Sequence, residues 1–198
     1  DYLKAIELDP EEEIYYLDLG NLYKNKLHAP EKAKNQYLKA IKTYDKKIIK
    51  EPKRASYYNQ IGRIYSIYLL DFENGLKWIQ KGNEVEKNAY TLASEGLMYL
   101  NLKNLVKSEE KYLEAIELEP DEVNYLFAIA NLYILQKNYS NAEEFVQKTI
   151  SLNIKDPDGY YKLGVIYLEE GDYLNAFEQI TVSINKEINN TEGFFISG

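Results

Sequence analysis

The chain carries a single histidine, His28, and no cysteine, so disulfides and thiolate metal sites are both excluded. Ala29 and Pro30 follow His28 in a segment that reads as a turn between two helices, and no nucleophile or second histidine accompanies it. Carboxylates fall in neighbouring pairs: Glu109 and Glu110, Glu143 and Glu144, Glu169 and Glu170. Adjacent helical positions point about 100° apart, so these pairs do not face each other as the acid and base of glycoside hydrolysis must. A phosphate-cradling glycine loop, an HExxH pair, a calcium loop and a nucleophile elbow are all missing from the sequence. No catalytic residue, cofactor or metal site is expected, and the chain reads as a non-enzyme.

Composition narrows the partner as well. Of the 198 residues 45% are hydrophobic, enough for one sizeable core or a short array of stacked units. Twenty tyrosines accompany one tryptophan and one methionine, so much of the packing falls to rings whose hydroxyls need water or a partner. Net charge is −8: residues 1–99 hold 16 basic and 15 acidic residues, and residues 100–198 hold 8 and 17. A surface of that sign argues against nucleic acid, which needs a basic footprint. No apolar run reaches the length of a membrane span, so membrane insertion is not expected.

The elements that position any contact residue follow from an internal repeat. The phrase YLKAIELDPEE at residues 2–12 returns as YLEAIELEPDE at residues 112–122. Small residues fall at Gly20, Gly62, Gly96, Ala130, Gly164 and Gly198, spaced by 42 and then by 34 residues throughout. Five of them are followed three residues later by tyrosine: Tyr23, Tyr65, Tyr99, Tyr133 and Tyr167. A second ladder runs Ala5, Ala40, Gly82, Ala115, Thr149 and Ser183. Within one unit, Tyr160, Leu163, Gly164 and Tyr167 recur at helical spacing, GDY turns the chain, and Ala176, Ile180 and Ser183 continue on a second helix. Pro30 and Pro157 suit first helical turns, while Pro10, Pro52 and Pro120 separate units.

The period of 34, the L-G-x-x-Y pattern of Leu19, Gly20 and Tyr23, the downstream Ala33, Tyr37 and Ala40, and the closing proline resemble the tetratricopeptide repeat. The resemblance implies an all-α, right-handed superhelix of helix pairs whose first helices line a concave face. It divides residues 1–198 into a half repeat 1–12, five repeats (13–54, 55–88, 89–122, 123–156 and 157–190) and a half repeat 191–198. The chain thus opens on a second helix and closes on a first one, as a portion of a longer array would. Gly and Ala at the ladder positions let neighbouring helix axes approach closely.

Three places depart from the pattern. Seven additional residues lie between Ala40 and Pro52, and Tyr37, Ile41, Tyr44 and Ile48 keep helical spacing through them, which predicts a longer helix. Residues 32–54 hold nine basic residues against Asp45 and Glu51, and Lys39, Lys42, Lys46 and Lys50 form a basic face, read as solvated or as a secondary contact for an acidic segment. Gly75 and Gly82, flanking Trp78, share one predicted helix and point either to close packing or to a soft joint. Glu95 stands where other units place Leu19, Ile61, Ile129 and Leu163, and is expected to sit in a local irregularity.

By the resemblance, the concave face holds Leu17, Asn21, Asn59, Arg63, Ala93, Leu97, Phe127, Asn131, Tyr161 and Val165. This mixture offers apolar pockets and amides for a peptide or helix of a protein partner. A carboxylate clamp of the kind some family members use is not matched, because Leu17 and Phe127 stand where its lysine belongs; an asparagine ladder is absent. Two further readings are self-association through the terminal half repeats, with Phe194, Phe195 and Ile196 as the contact, and a regulatory region attached to an enzyme outside the segment.

Overall fold

The tyrosine and small-residue ladders require each helix to turn back on the last one. In the computed structural model, which describes the backbone of residues 1–196 and side chains through Ile188, they do so. Among the described residues there are eleven α-helices and no strand: α1 (Tyr2–Leu8), α2 (Glu13–Asn25), α3 (Pro30–Lys50), α4 (Ala55–Arg63), α5 (Phe72–Val85), α6 (Ala89–Asn101), α7 (Leu105–Leu118), α8 (Val123–Leu135), α9 (Tyr139–Leu152), α10 (Pro157–Glu170) and α11 (Tyr173–Ile196). The all-α helix-pair fold is the one the repeat implies. Helix α11 continues as one helix through the expected junction at residues 190 and 191, and the side chains of the half repeat 191–198 lie outside the described residues.

Two compact units divide the chain, Asp1–Ser108 and Glu109–Gly198. In the first, α2 packs on α3, α4 on α5, and successive pairs meet through α3 with α4 and α5 with α6. In the second, α8 packs on α9, α10 on α11, and α9 joins the two pairs.

Each turn within a pair contains one left-handed residue: His28, Leu70, Lys103, Lys137 and Gly171. The following amide donates back to the carbonyl of the motif tyrosine, as in Asn104 to Tyr99 at 2.9 Å, Asn138 to Tyr133 at 2.8 Å and Asp172 to Tyr167 at 2.8 Å. This satisfies one orphan carbonyl of the first helix and aims the chain at the second. His28 therefore serves as turn backbone. Starts of second helices are capped by side chains, Asp71 on the Asn74 amide and Asn138 on the Asn141 amide.

Small residues set the distance within a pair. A Cβ on Gly62 would lie 2.7 Å from Ile79 Cγ1 and 3.0 Å from the Gly75 carbonyl; on Gly164 it would lie 2.6 Å from Ile180 Cγ1 and 3.2 Å from the Ala176 carbonyl. Tyr37 lies flat against Gly20 in the same way, 2.4 Å from such a Cβ. Gly75 and Gly82 are packing glycines too: a Cβ on Gly82 would meet Asn59 Oδ1 at 2.1 Å, so α5 lies close on α4 of its own pair.

The additional residues extend α3 to 21 residues without a loop. Their apolar side, Ile41 and Tyr44, is buried, and Lys47 and Tyr44 reach Glu13 at the start of α2. Burial raises the Glu13 carboxyl, but the Lys47 and Tyr44 bonds outweigh it and hold it below the usual carboxylate range.

Glu95 corrects the expectation of a local irregularity. Helix α6 is regular there, and the buried carboxylate accepts hydrogen bonds from Gln80 Nε2 at 3.0 Å and Asn83 Nδ2 at 2.8 Å. Two amides from α5 replace the water a buried carboxylate would otherwise lose.

In the second unit the motif tyrosines tie each first helix to the preceding second helix: Tyr133 donates to Glu109 at 2.9 Å and Tyr167 to Glu143 at 2.8 Å. Burial first, then the adjoining carboxylate, pushes both hydroxyls up to about 12.

Two outcomes follow from this packing. Gly164→Val should destabilise the chain by about 1–3 kcal/mol, because backbone as well as side chain crowds the new atoms; a urea melt measures it, and an unchanged midpoint would contradict the close approach. The tyrosine pKa values are raised on folding, so the stability these hydroxyls contribute is complete below pH ~10 and is lost as pH rises through ~12. The double variant Tyr133→Phe, Tyr167→Phe should lose about 1 kcal/mol per bond near neutrality and show a shallower alkaline decline in the same melt.

Candidate partner-binding surfaces

In the first unit the expected contact residues belong to α2, α4 and α6. Asn21 Oδ1 accepts the Tyr37 hydroxyl at 3.0 Å, so this amide is engaged by the second helix of its own pair. Leu17 packs against the core cluster around Tyr37 and Ile61. Asn59 is only 7% exposed, and its Oδ1 has no protein partner and lies against Gly82. Arg63 is exposed, with Nη1 3.4 Å from Gln60 Oε1. On α6, Leu97 is exposed and Ala93 half-buried.

Asn59 and Arg63 line a cleft of about 490 Å³ between α4 and the start of α6, together with Gln60, Asn88 and Tyr90. A second cleft of about 620 Å³ shares Ala55, Ser56 and Glu86 with it and adds Arg54, which pairs with Glu51 at 3.1 Å. Both arginines of the chain therefore stand along these clefts, where a planar guanidinium can hold a carboxylate in two bonds. Tyr90 and Gln60 were missed in the sequence. The one signal for Tyr90 was the capping box that Asn88 makes with Thr91, which fixes where α6 starts and hence which side Tyr90 faces.

In the second unit, Phe127 and Asn131 on α8 meet Lys162 on α10. The ammonium donates to Asn131 Oδ1 at 3.2 Å and stands 5.0 Å from the centre of the Phe127 ring. Tyr161 is exposed beside it and Val165 half-buried. Lys162 comes 31 residues after Asn131, three short of the period, which puts it one helical turn earlier on the next first helix. That offset was the signal for it.

The basic face behaves unevenly. Lys50 pairs with Glu11 at 3.1 Å and holds that carboxyl below its usual range, with the fields of Lys46 and Lys47 adding to the effect. Lys39, Lys42 and Lys46 are exposed. Phe194, Phe195 and Ile196 lie where side chains are outside the described residues. Among the described residues no group of three acidic, histidine or cysteine side chains is placed to hold a metal ion, and no helix is long and apolar enough to cross a membrane.

Comparison with known proteins bears on the fold. Residues 123–154 and 157–181 match the tetratricopeptide repeat. No curated protein matches the sequence. The fold is similar to that of MamA from Desulfovibrio magneticus, at 15% identity over 89% of this chain and 96% of that one, with a TM-score of 0.68. It is also similar to YrrB, described as a TPR protein with an unusual peptide-binding site, at 18% identity over 99% and 97% of the two chains and a TM-score of 0.64. PilW, a type IV pilus biogenesis factor, is similar at 16% identity over 90% of this chain and 79% of its own, with a TM-score of 0.68. Residues 123–154 and 157–181 therefore carry the tetratricopeptide repeat signature, and the chain as a whole shares the fold of these helical-repeat proteins.

Proposed function

We propose that the chain is a protein-interaction scaffold whose first helices present the contact residues to a peptide or helix of a partner. The observation that supports this most directly is the exposure of large side chains on helices whose other faces are buried: Tyr161 is 55% exposed, Tyr90 48% and Leu97 45%. Amides and cations stand beside them, Asn131 with Lys162 in the second unit and Gln60 with Arg63 in the first. Rings and aliphatic groups of this kind take up side chains, and the neighbouring polar groups orient a backbone. YrrB, a protein of the same fold, has a peptide-binding site, in line with this use.

A partner found by crosslinking to the intact protein provides the test. Phe127→Ala with Tyr161→Ala should weaken its binding by about tenfold or more, as loss of ring contacts at an interface does, with an unchanged melting temperature. Undiminished binding of every captured partner would overturn the reading.

A second reading, self-association of the array, draws on one specific feature of α11. Phe177 is 75% exposed and stands one period after Glu143, the residue that accepts the Tyr167 hydroxyl. The face that α9 covers with α10 is left open on α11 around Phe177 and Leu174. Sedimentation velocity over a hundredfold concentration range should then give a mass that rises with concentration in the native chain and stays constant in Leu174→Glu, Phe177→Glu. A constant mass in both removes this reading.

A further inference from the structure

The seven additional residues of α3 do more than lengthen a helix. Where α3 meets the continuation of α4, the chain forms a π-helical turn over Ile64–Tyr68, closed by the Leu69 amide on the Ile64 carbonyl at 3.2 Å. Such a turn inserts one residue and rotates the helix beyond it. Tyr65, the motif tyrosine of this repeat, lies in that turn. In the second unit its counterparts Tyr133 and Tyr167 close on a glutamate of the preceding helix. Tyr65 makes no such bond among the described residues; it lies half-buried, within the fields of Asp71 and, more weakly, Asp45.

A cleft of about 370 Å³ opens at this joint, with Leu38, Ile41 and Tyr65 as its apolar lining and Lys39, Lys42 and Asp45 around it. Asp45 is half-buried, and among the described residues neither of the two exposed lysines forms a salt bridge with it. The same face of α3 continues to Ile49, which is 81% exposed. From Leu38 to Ile49 it runs about 16 Å at the helical rise, long enough for several residues of another chain to lie along it.

We propose that this face is a second docking site, distinct from the surface that carries Phe127 and Tyr161, for an acidic protein segment that inserts a large apolar side chain between Leu38, Ile41 and Tyr65 and sets carboxylates against Lys39 and Lys42. The two lysines are three residues apart on one helix face, so their ammonium groups match carboxylates three or four apart on a partner helix. Their alkyl stems widen the apolar floor while the charges stay in water. A nucleic acid fits less well. Both arginines stand elsewhere, so the site lacks the forked donors that hold phosphate.

The test uses the full chain and a fluorescein-labelled Ala–Glu helical peptide carrying two leucines four residues apart, followed by fluorescence anisotropy at low salt. The expected result is saturable binding that weakens about tenfold in Lys39→Glu, Lys42→Glu, as charge reversal at a contact does, and severalfold in Leu38→Ala. Phe127→Ala with Tyr161→Ala should leave it unchanged, which separates this site from the first-helix surface. Circular dichroism melts should coincide for the native chain and the lysine and Leu38 variants, whose altered side chains are exposed. The proposal is overturned if the peptide does not bind, if the lysine variant binds it equally, if a peptide with both leucines replaced by alanine binds as well, or if a single-stranded oligonucleotide binds more tightly.

Discussion

The close contact inside each helix pair is the constraint on which the other features depend. Gly20, Gly62 and Gly164 leave room for Tyr37, Ile79 and Ile180, and a single added carbon would meet them at under 3 Å. Dispersion acts over distances this short, so the pair is held by shape complementarity at the small-residue stripe. The left-handed residue in each turn is strained for an L side chain except at Gly171, yet four turns accept it, because the short return is what brings the stripes together.

Between pairs the chain uses polar contacts as well as apolar ones. Tyr133 and Tyr167 each carry a hydroxyl into a half-buried interface where Glu109 and Glu143 accept it. At the joint between α5 and α6 the logic is reversed: the carboxylate of Glu95 sits on the first helix and Gln80 and Asn83 supply donors from the second. Buried bonds of this kind add little net stability but penalise a slipped register, since a shift leaves a charge or a hydroxyl without its partner. Asn83 Oδ1 remains without a protein partner in this network, a site suited to a bound water.

Three surfaces carry the most chemical character. The arginines gather beside the two clefts along α4, Lys162 caps the Phe127 ring, and the long α3 with the π-helical turn near it opens a lysine-rimmed cleft.

Much of this architecture was legible in the sequence alone, because the two small-residue ladders and the proline punctuation are one-dimensional signals of a one-dimensional fold. The helix pairs, the extended α3 and the close packing at Gly75 and Gly82 could be read from spacing, since each depends on neighbours within about one period. What only the tertiary structure decided was which way individual polar side chains turn. Asn59 and Asn21 share the first helices with Arg63 and Leu97, yet the asparagines face the second helix of their own pair and the other two face solvent. Glu95 looked like a misfit until two amides 12 and 15 residues earlier met it across a joint. Spacing specifies a helix face, but a rotation of one position about that helix separates core from solvent, and that rotation is set by contacts with the neighbouring helices.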